Sequence, residues 1–247
     1  MNSIAGGGTL LTFPALIALG VPPIDANATS TVALWPGSIS SVWGYRALLR
    51  GSGPWAVGFA VPSLLGGATG AWLLLLTPPE RFSDIVPWLV LSATGLFMIQ
   101  RPIMEWLARR REPSAGSRAP DSDAVLTNRR PPLYILVYQF LVATYGGYFG
   151  AGVGILMLAA LGFMGLTNIH RMNGLKNWGG VCMNVIAAAI FAFSSLVNWP
   201  VALAMALGAI AGGYLGSRTA QQVPQELVRG AVVGIGLISG LLLFLTR

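Results

Sequence analysis

The chain has 247 residues, of which 54% are hydrophobic and only 9% charged, with a formal net charge of +7 and a mean hydropathy of +0.68. That composition excludes a soluble globular domain and fits a polytopic membrane protein. The basic excess does not mark a nucleic-acid partner, because the arginines flank apolar blocks and form no patch interleaved with aromatics.

The opening "MNSIAGGGTLLTFP" lacks a basic region and a cleavage-type tail, so no signal peptide is expected. An apolar stretch at 9–20 is too brief to span comfortably, since a hydrocarbon core of ~30 Å asks for about 20 residues of helix. A more polar candidate span follows at 26–49, then clear blocks at 54–77 and 85–104. Residues 101–130 carry Arg101, Arg109, Arg110, Arg111, Arg118, Arg129 and Arg130 among Pro, Ser, Gly and Asp, which reads as solvated chain and places a linker at 105–131. Beyond it come 133–149, a short stretch at 153–166, and blocks at 178–196, 199–217 and 227–246. Continuous apolarity without a barrel's alternation predicts helices throughout. The expected fold is an all-α polytopic integral membrane protein with roughly 7–9 membrane segments.

The linker divides the chain into two membrane halves, 1–104 and 132–247, which look like copies. "GGGTLLTFPALIALGVPPIDANATST" at 6–31 resembles "GAGVGILMLAALGFMGLTNIHRMNGLKN" at 150–177, with Asn27 opposite Asn173. "GGATGAWLLLLTPPERF" at 66–82 resembles "GAIAGGYLGSRTAQQVPQEL" at 208–227. The second half opens with a full apolar helix ahead of its glycines, whereas only Met1 to Ala5 precede Gly6, so the first helix of the first half is expected to be shortened or missing in this chain.

Charge sets the relative direction of the halves. If 133–149 and 153–166 form a hairpin that returns to the side it entered from, Arg46, Arg50, the seven linker arginines, Arg171, Lys176, Arg218 and Arg229 share one side, thirteen cations against Arg81 and Arg247. A single crossing leaves ten against five. The positive-inside rule favours the first count, which makes the linker cytoplasmic and the two repeats inverted, with interrupted or hairpin helices. That architecture is a mark of secondary transporters.

The Gly-rich entries and the polar segments after them resemble the TauE/SafE sulfite exporter family of bacterial membrane permeases. The resemblance rests on "GGGTLLTFPAL" with "GVPPIDANATST", and on "YGGYFGAGVGILMLAAL" with "NGLKNWGGVCMNVIAA", and it covers most of the chain. It implies passage of a small anion such as sulfite, sulfoacetate or another organosulfur compound across the bacterial cytoplasmic (inner) membrane, driven by an ion gradient, with no cofactor. The implied partners are the anion, a coupling proton or ion and the lipid bilayer, with homo-oligomers left open and nucleic acid excluded.

Interrupted helices present backbone amides and the positive end of a helix dipole to an anion. Gly7 and Gly8, with Gly150, Gly152 and Gly154, lack a Cβ and allow close approach, either of a substrate or of a neighbouring helix. Asn27, Thr29, Ser30 and Thr31 can donate to an oxyanion, their plain alternative being helix capping. In the second copy Asn173, Lys176 and Asn177 take the matching place, with Trp178 beside them and Asn184 deeper on the same face. Lys176 is the chain's only lysine, and it sits near a helix start where the dipole opposes a cation. It is either a counter-charge for the anion or a side chain snorkelling to the interface. Asp25 and His170 stand before the two Asn segments, where either could carry a proton, against a capping role for Asp25 and an interfacial one for His170. The tryptophans are expected mostly at span ends, and Cys182 as a small buried residue.

An anion channel of the same architecture is the alternative. An enzyme fits poorly, because one His, one Cys and no carboxylate cluster within the spans offer neither a triad nor a metal site. No GxxxxGK[ST] motif for an ATP-driven pump occurs.

Overall fold

The structure, a computed structural model, describes residues 8–45, 53–109, 131–163, 169–219 and 225–245. Every element among them is an α-helix: α1 (Gly8–Ala18), α2 (Pro23–Tyr45), α3 (Gly53–Leu76), α4 (Pro79–Arg109), α5 (Leu133–Tyr148), α6 (Val153–Phe163), α7 (Ile169–Ala192), α8 (Trp199–Thr219) and α9 (Gln225–Leu245). By length and apolarity, Gly53–Leu76, Pro79–Ile99 and Arg171–Ala192 are candidate membrane spans, and the shorter helices are apolar as well. The protein is an all-helical, multi-pass membrane protein. Its large exposed side chains, such as Val61, Leu65 and Trp72 of α3 or Leu203 and Leu207 of α8, are apolar, as an exterior facing lipid requires.

Local chemistry explains the boundaries. At the end of α1 the N–H of Val21 bonds to the Leu16 carbonyl and that of Gly20 to Ile17, with Gly20 at φ 81. This left-handed cap satisfies carbonyls that the helix leaves open. Pro23 then opens α2, where its missing N–H loses nothing. Asn198 caps α8 by accepting from the Val201 N–H at 3.3 Å. α4 runs on to Arg109, into the stretch whose charge reads as linker, because Met104 to Arg109 contain no Gly or Pro to stop a helix. Linker residues 110–130 lie outside the described residues.

α5 and α6 form the expected hairpin. The Tyr145 hydroxyl donates to the Ala151 carbonyl at 2.8 Å and Tyr138 to Leu156 at 3.2 Å, while Ile135 clusters with Leu158 and Leu161. α6 therefore folds back along α5. Its 11 residues rise about 16 Å, roughly half the hydrocarbon thickness.

Helix contacts come largely in mates between the halves. α3 packs on α7 and α8 on α2; α4 on α6 and α9 on α1; α1 on α2 and α6 on α7; α2 meets α7, and α4 meets α9. α2 also touches α4 without a comparable mate. Single residues follow the same rule. Gly67 of α3 lies against the backbone of Met183 in α7, and Gly37 of α2 lies against Ala209 of α8. The alignment that pairs Asn27 with Asn173 and Gly66 with Gly208 makes these two contacts equivalent. Directions also match: Thr29 and Gly37 of α2 meet Asn198 and Ala209 in that order, as Ala56 and Gly67 of α3 meet Trp178 and Met183 of α7. α3 also runs alongside α5 in the same direction, with Gly58 near Pro131 and Gly70 near Thr144, and the first turns of α2 meet the last turn of α5 at Tyr148, so α2 runs opposite to α3, α5 and α7.

The mates diverge at α5. Gly66 and Gly70 of α3 press on the α5 backbone at Phe140 and Thr144, whereas none of the described residues lies within 4 Å of the position a Cβ would take at Gly208. Gly70→Ala should lower stability by about 1–3 kcal/mol by forcing a methyl into the Thr144 carbonyl. Gly208→Ala should stay within about 0.5 kcal/mol of the parent. Unfolding of the purified protein in detergent, followed by near-ultraviolet circular dichroism, measures both.

Candidate functional site

The bilayer makes unpaired polar groups costly, so the placement of the buried polar side chains is informative. Ser63, Thr94 and Gln139 lie on other helices; Asn27, Thr29, Ser30, Ser38, Lys176 and Asn177 all lie on α2 and α7. Where these two helices meet the α5–α6 break and α1 there is a cavity enclosing about 660 Å³ of open space, its mouth included. Thr31, Leu34 and Ser38 of α2 line it, with Lys176, Asn177, Gly180 and Asn184 of α7. Thr9 of α1, and Gly150, Val153, Gly154 and Met157 at the break and on α6, complete it.

The lining follows one sequence register on α2 and α7. Thr31 pairs with Asn177, Leu34 with Gly180 and Ser38 with Asn184 in the register that pairs Asn27 with Asn173. Their spacing of three and four residues puts each set on one helix face. Lys176 breaks the symmetry, since its mate is Ser30, which shares a 2.6 Å hydrogen bond with Thr12. Setting Ala15–Leu16 on Ala160–Leu161 makes Met157 the mate of Thr12. A methionine and a lysine thus stand where the first half has two hydroxyls. Lys176 is 3% exposed and lies within the candidate span Arg171–Ala192, not at its threshold. An ionisable side chain inside a span is costly and marks a functional position by default.

Of the residues that the sequence suggests, Thr31, Lys176, Asn177, Asn184, Gly150 and Gly154 line this cavity. The Asn177 Nδ2 is a buried donor without a partner among the described residues. Asn27 is fully buried and gives its Nδ2 to the Tyr148 carbonyl at 2.8 Å, holding the last turn of α5 at the break. Thr29 accepts from the Asn198 N–H at 3.0 Å and so fixes the start of α8. The Trp178 indole donates to the Ala56 carbonyl at 2.8 Å, toward α3 and away from the cavity. Gly8 accepts from the Thr12 hydroxyl at 3.1 Å. Gly152, at φ 75, lies against Ala93 of α4, so it serves the turn and a close helix approach. Asn173 is half-buried and, like Asn27, has an Oδ1 without a partner among the described residues; it does not line the cavity. Asp25 is half-buried on the first turn of α2, outside the lining. Gly7 lies outside the described residues, as does the side chain of His170.

Thr9, Leu34, Ser38, Val153, Met157 and Gly180 also line the cavity, although the polar segments alone did not single them out. Carrying the repeat register residue by residue down α2 and α7 would have reached Ser38 and Gly180. Trp55 departs from the expected aromatic belt: it is 1% exposed and stacks on Phe59 in the core at the start of α3. Cys182 is a buried free thiol, as expected.

A family model described as Sulfite exporter TauE/SafE matches residues 1–243. The chain belongs to the TauE/SafE family. It is 27% identical over 242 residues to a probable membrane transporter protein of Sinorhizobium, covering 96% of this chain and 84% of that one. A probable membrane transporter protein of Haemophilus influenzae is 27% identical over 240 residues, with 94% and 85% covered. The probable membrane transporter protein YfcA of Escherichia coli is 27% identical over 245 residues, with 96% and 82% covered. No solved structure matches the chain. In this TauE/SafE protein a membrane transporter's cavity would need polar groups supplied by both halves, and the lining has them.

The hold of Asn27 on the break can be measured. Asn27→Ala leaves the Tyr148 carbonyl without its donor and should cost about 1–3 kcal/mol. Hydrogen exchange at residues 149–152 should quicken by more than tenfold, while exchange in α3 changes little.

Proposed function

We propose that this TauE/SafE protein is a secondary transporter that carries a small anion, such as sulfite, sulfoacetate or another sulfonate, across the cytoplasmic membrane under an ion gradient. The observation that carries the reading is Lys176, buried in a cavity with hydroxyl and amide groups from both halves around it. A single ammonium supplies charge complementarity for an anion, and the Asn177 and Asn184 amides supply donors for its oxygens; the hydroxyls of Thr31 and Ser38 donate to the Asn27 and Leu34 carbonyls at 3.0 and 3.2 Å and reach an anion only by rotating away from them. Gly150, Gly154 and Gly180 leave the backbone open to close approach at the helix break. Family membership supports membrane transport; the charge and donors of the cavity support the anion.

The opposite run of α2 and α7 and the paired contacts of the halves support inverted repeats, in which a central site opens to either side as one half rocks against the other. Pro131, at the end of the linker, lies against Gly58 near the start of α3. This supports a common cytoplasmic side for the 46–52 loop and the linker, in keeping with the charge count.

Flux in proteoliposomes tests the reading, with sulfite, sulfoacetate, thiosulfate, taurine and methanesulfonate each offered with and without an imposed gradient. At least one anion should be accumulated with saturating kinetics. Lys176→Met should lower its flux at least a hundredfold while the protein still reaches the membrane. Wild-type flux in Lys176→Met, or no response to any anion, would end the proposal.

A further inference from the structure

Among the described residues, Lys176 is the only ionisable side chain that lines the cavity. α7 packs on α2, α3, α5 and α6, and α3 and α6 contain no acidic, basic, Cys or Tyr residue, nor does α1. The remaining titratable groups on these elements lie elsewhere. On α2, Asp25 is on the first turn, outside the lining, and Tyr45 is the last residue. On α5, Tyr134 is exposed, while the hydroxyls of Tyr138, Tyr145 and Tyr148 bond to Leu156, Ala151 and Thr77. On α7, His170 and Arg171 are in the first turn, and Cys182 is buried without lining the cavity.

We infer that Lys176 itself carries the coupling proton, so that one proton accompanies each monovalent anion through the cavity; this rests on the transport reading above. On the loading side the amine takes a proton from water, and the ammonium that forms attracts the anion. On the release side the anion leaves, one N–H bond of the ammonium breaks, and the proton passes to water. The neutral amine then resets. Anion and proton move in the same direction, no net charge crosses, and no reactant besides water is needed. The physical reason is that an ammonium carried back through the membrane without its anion is the state the low-dielectric interior disfavours most, and a lysine, unlike an arginine, can shed its charge. Asp25 and His170, the carriers suggested by the sequence, are then not needed for coupling.

The sign of the pH dependence follows. Protonation favours anion binding, so raising the pH through the titration of the amine weakens it by about tenfold per pH unit.

The test uses the full chain in proteoliposomes with a pH-sensitive dye sealed inside, and methanesulfonate and thiosulfate as probes, because their charges do not change near neutral pH. For the wild type, an acidic exterior should drive uptake severalfold over the no-gradient control, with one proton entering per methanesulfonate. Whatever anion flux Lys176→Arg retains should lose the response to the pH gradient, because guanidinium does not deprotonate. A pH-driven uptake that persists in Lys176→Arg would overturn the inference while leaving the transport reading standing. If the larger guanidinium blocks exchange, the wild type decides: half-saturation by methanesulfonate that stays flat between neutral and alkaline pH overturns the inference, and a tenfold rise per unit supports it. Failure of the wild type to move either probe would overturn the inference together with the anion reading beneath it.

Discussion

The hydrogen bond from Asn27 to the Tyr148 carbonyl ties the first half of the chain to the helix break of the second. A break inside a membrane exposes carbonyls that no water can satisfy, so it persists only where protein supplies donors. Here the Phe149 N–H closes on Tyr145, the Tyr145 hydroxyl reaches Ala151, and Asn27 holds Tyr148. With those groups satisfied, Gly150 at φ 81 turns the chain, α6 folds back, and Gly150 and Gly154 face the cavity. The position of the site thus depends on a side chain that does not line it.

The same helix fixes a second junction from its other side. Two residues on from Asn27, Thr29 accepts from the backbone N–H of Asn198, whose own side chain caps α8. α2 therefore anchors both the α5–α6 break and the α7–α8 turn through two buried polar side chains on different faces. The stripe Thr31, Leu34 and Ser38 remains to line the cavity. This division of labour along one helix separates polar groups that hold the frame from polar groups that face open space, although both kinds look alike in composition.

That distinction marks what could be read from the sequence. The hairpin, the glycine turn and most helix limits followed from local signals: apolar length, paired prolines, and glycines between apolar runs. The partners of Asn27 and Thr29 lie at Tyr148 and Asn198, far along the chain, so nothing in "DANATST" tells a structural amide from a lining one. Trp178 misled for a related reason, since its neighbours in sequence line the cavity while its indole points to Ala56 of α3. Trp55 stands at the start of a span, where an interfacial ring is the usual outcome, but the hairpin covers it with Ile135, Leu158 and Leu161. Ser38 and Gly180 were hidden because they continue a polar stripe into apolar sequence, and only the repeat register gives them meaning.

Symmetry also clarifies what Lys176 does to the site. Two halves folded alike would offer matched hydroxyl and amide groups on α2 and α7, a neutral cavity able to hold water or many polar solutes. Having Met157 and Lys176 in the register of the Thr12–Ser30 pair removes one hydroxyl contact and puts a cation and a flexible apolar side chain in the same cavity lining. The lining thereby gains a charged pole beside a soft apolar surface, with neutral donors from both helices completing it. On the proposed reading, an anion with oxygens on one end and a small apolar portion on the other meets complementary surface in that arrangement, whereas a cation meets like charge. On that reading, one buried residue gives the cavity a preference for charge that matched hydroxyl and amide groups on α2 and α7 would not supply.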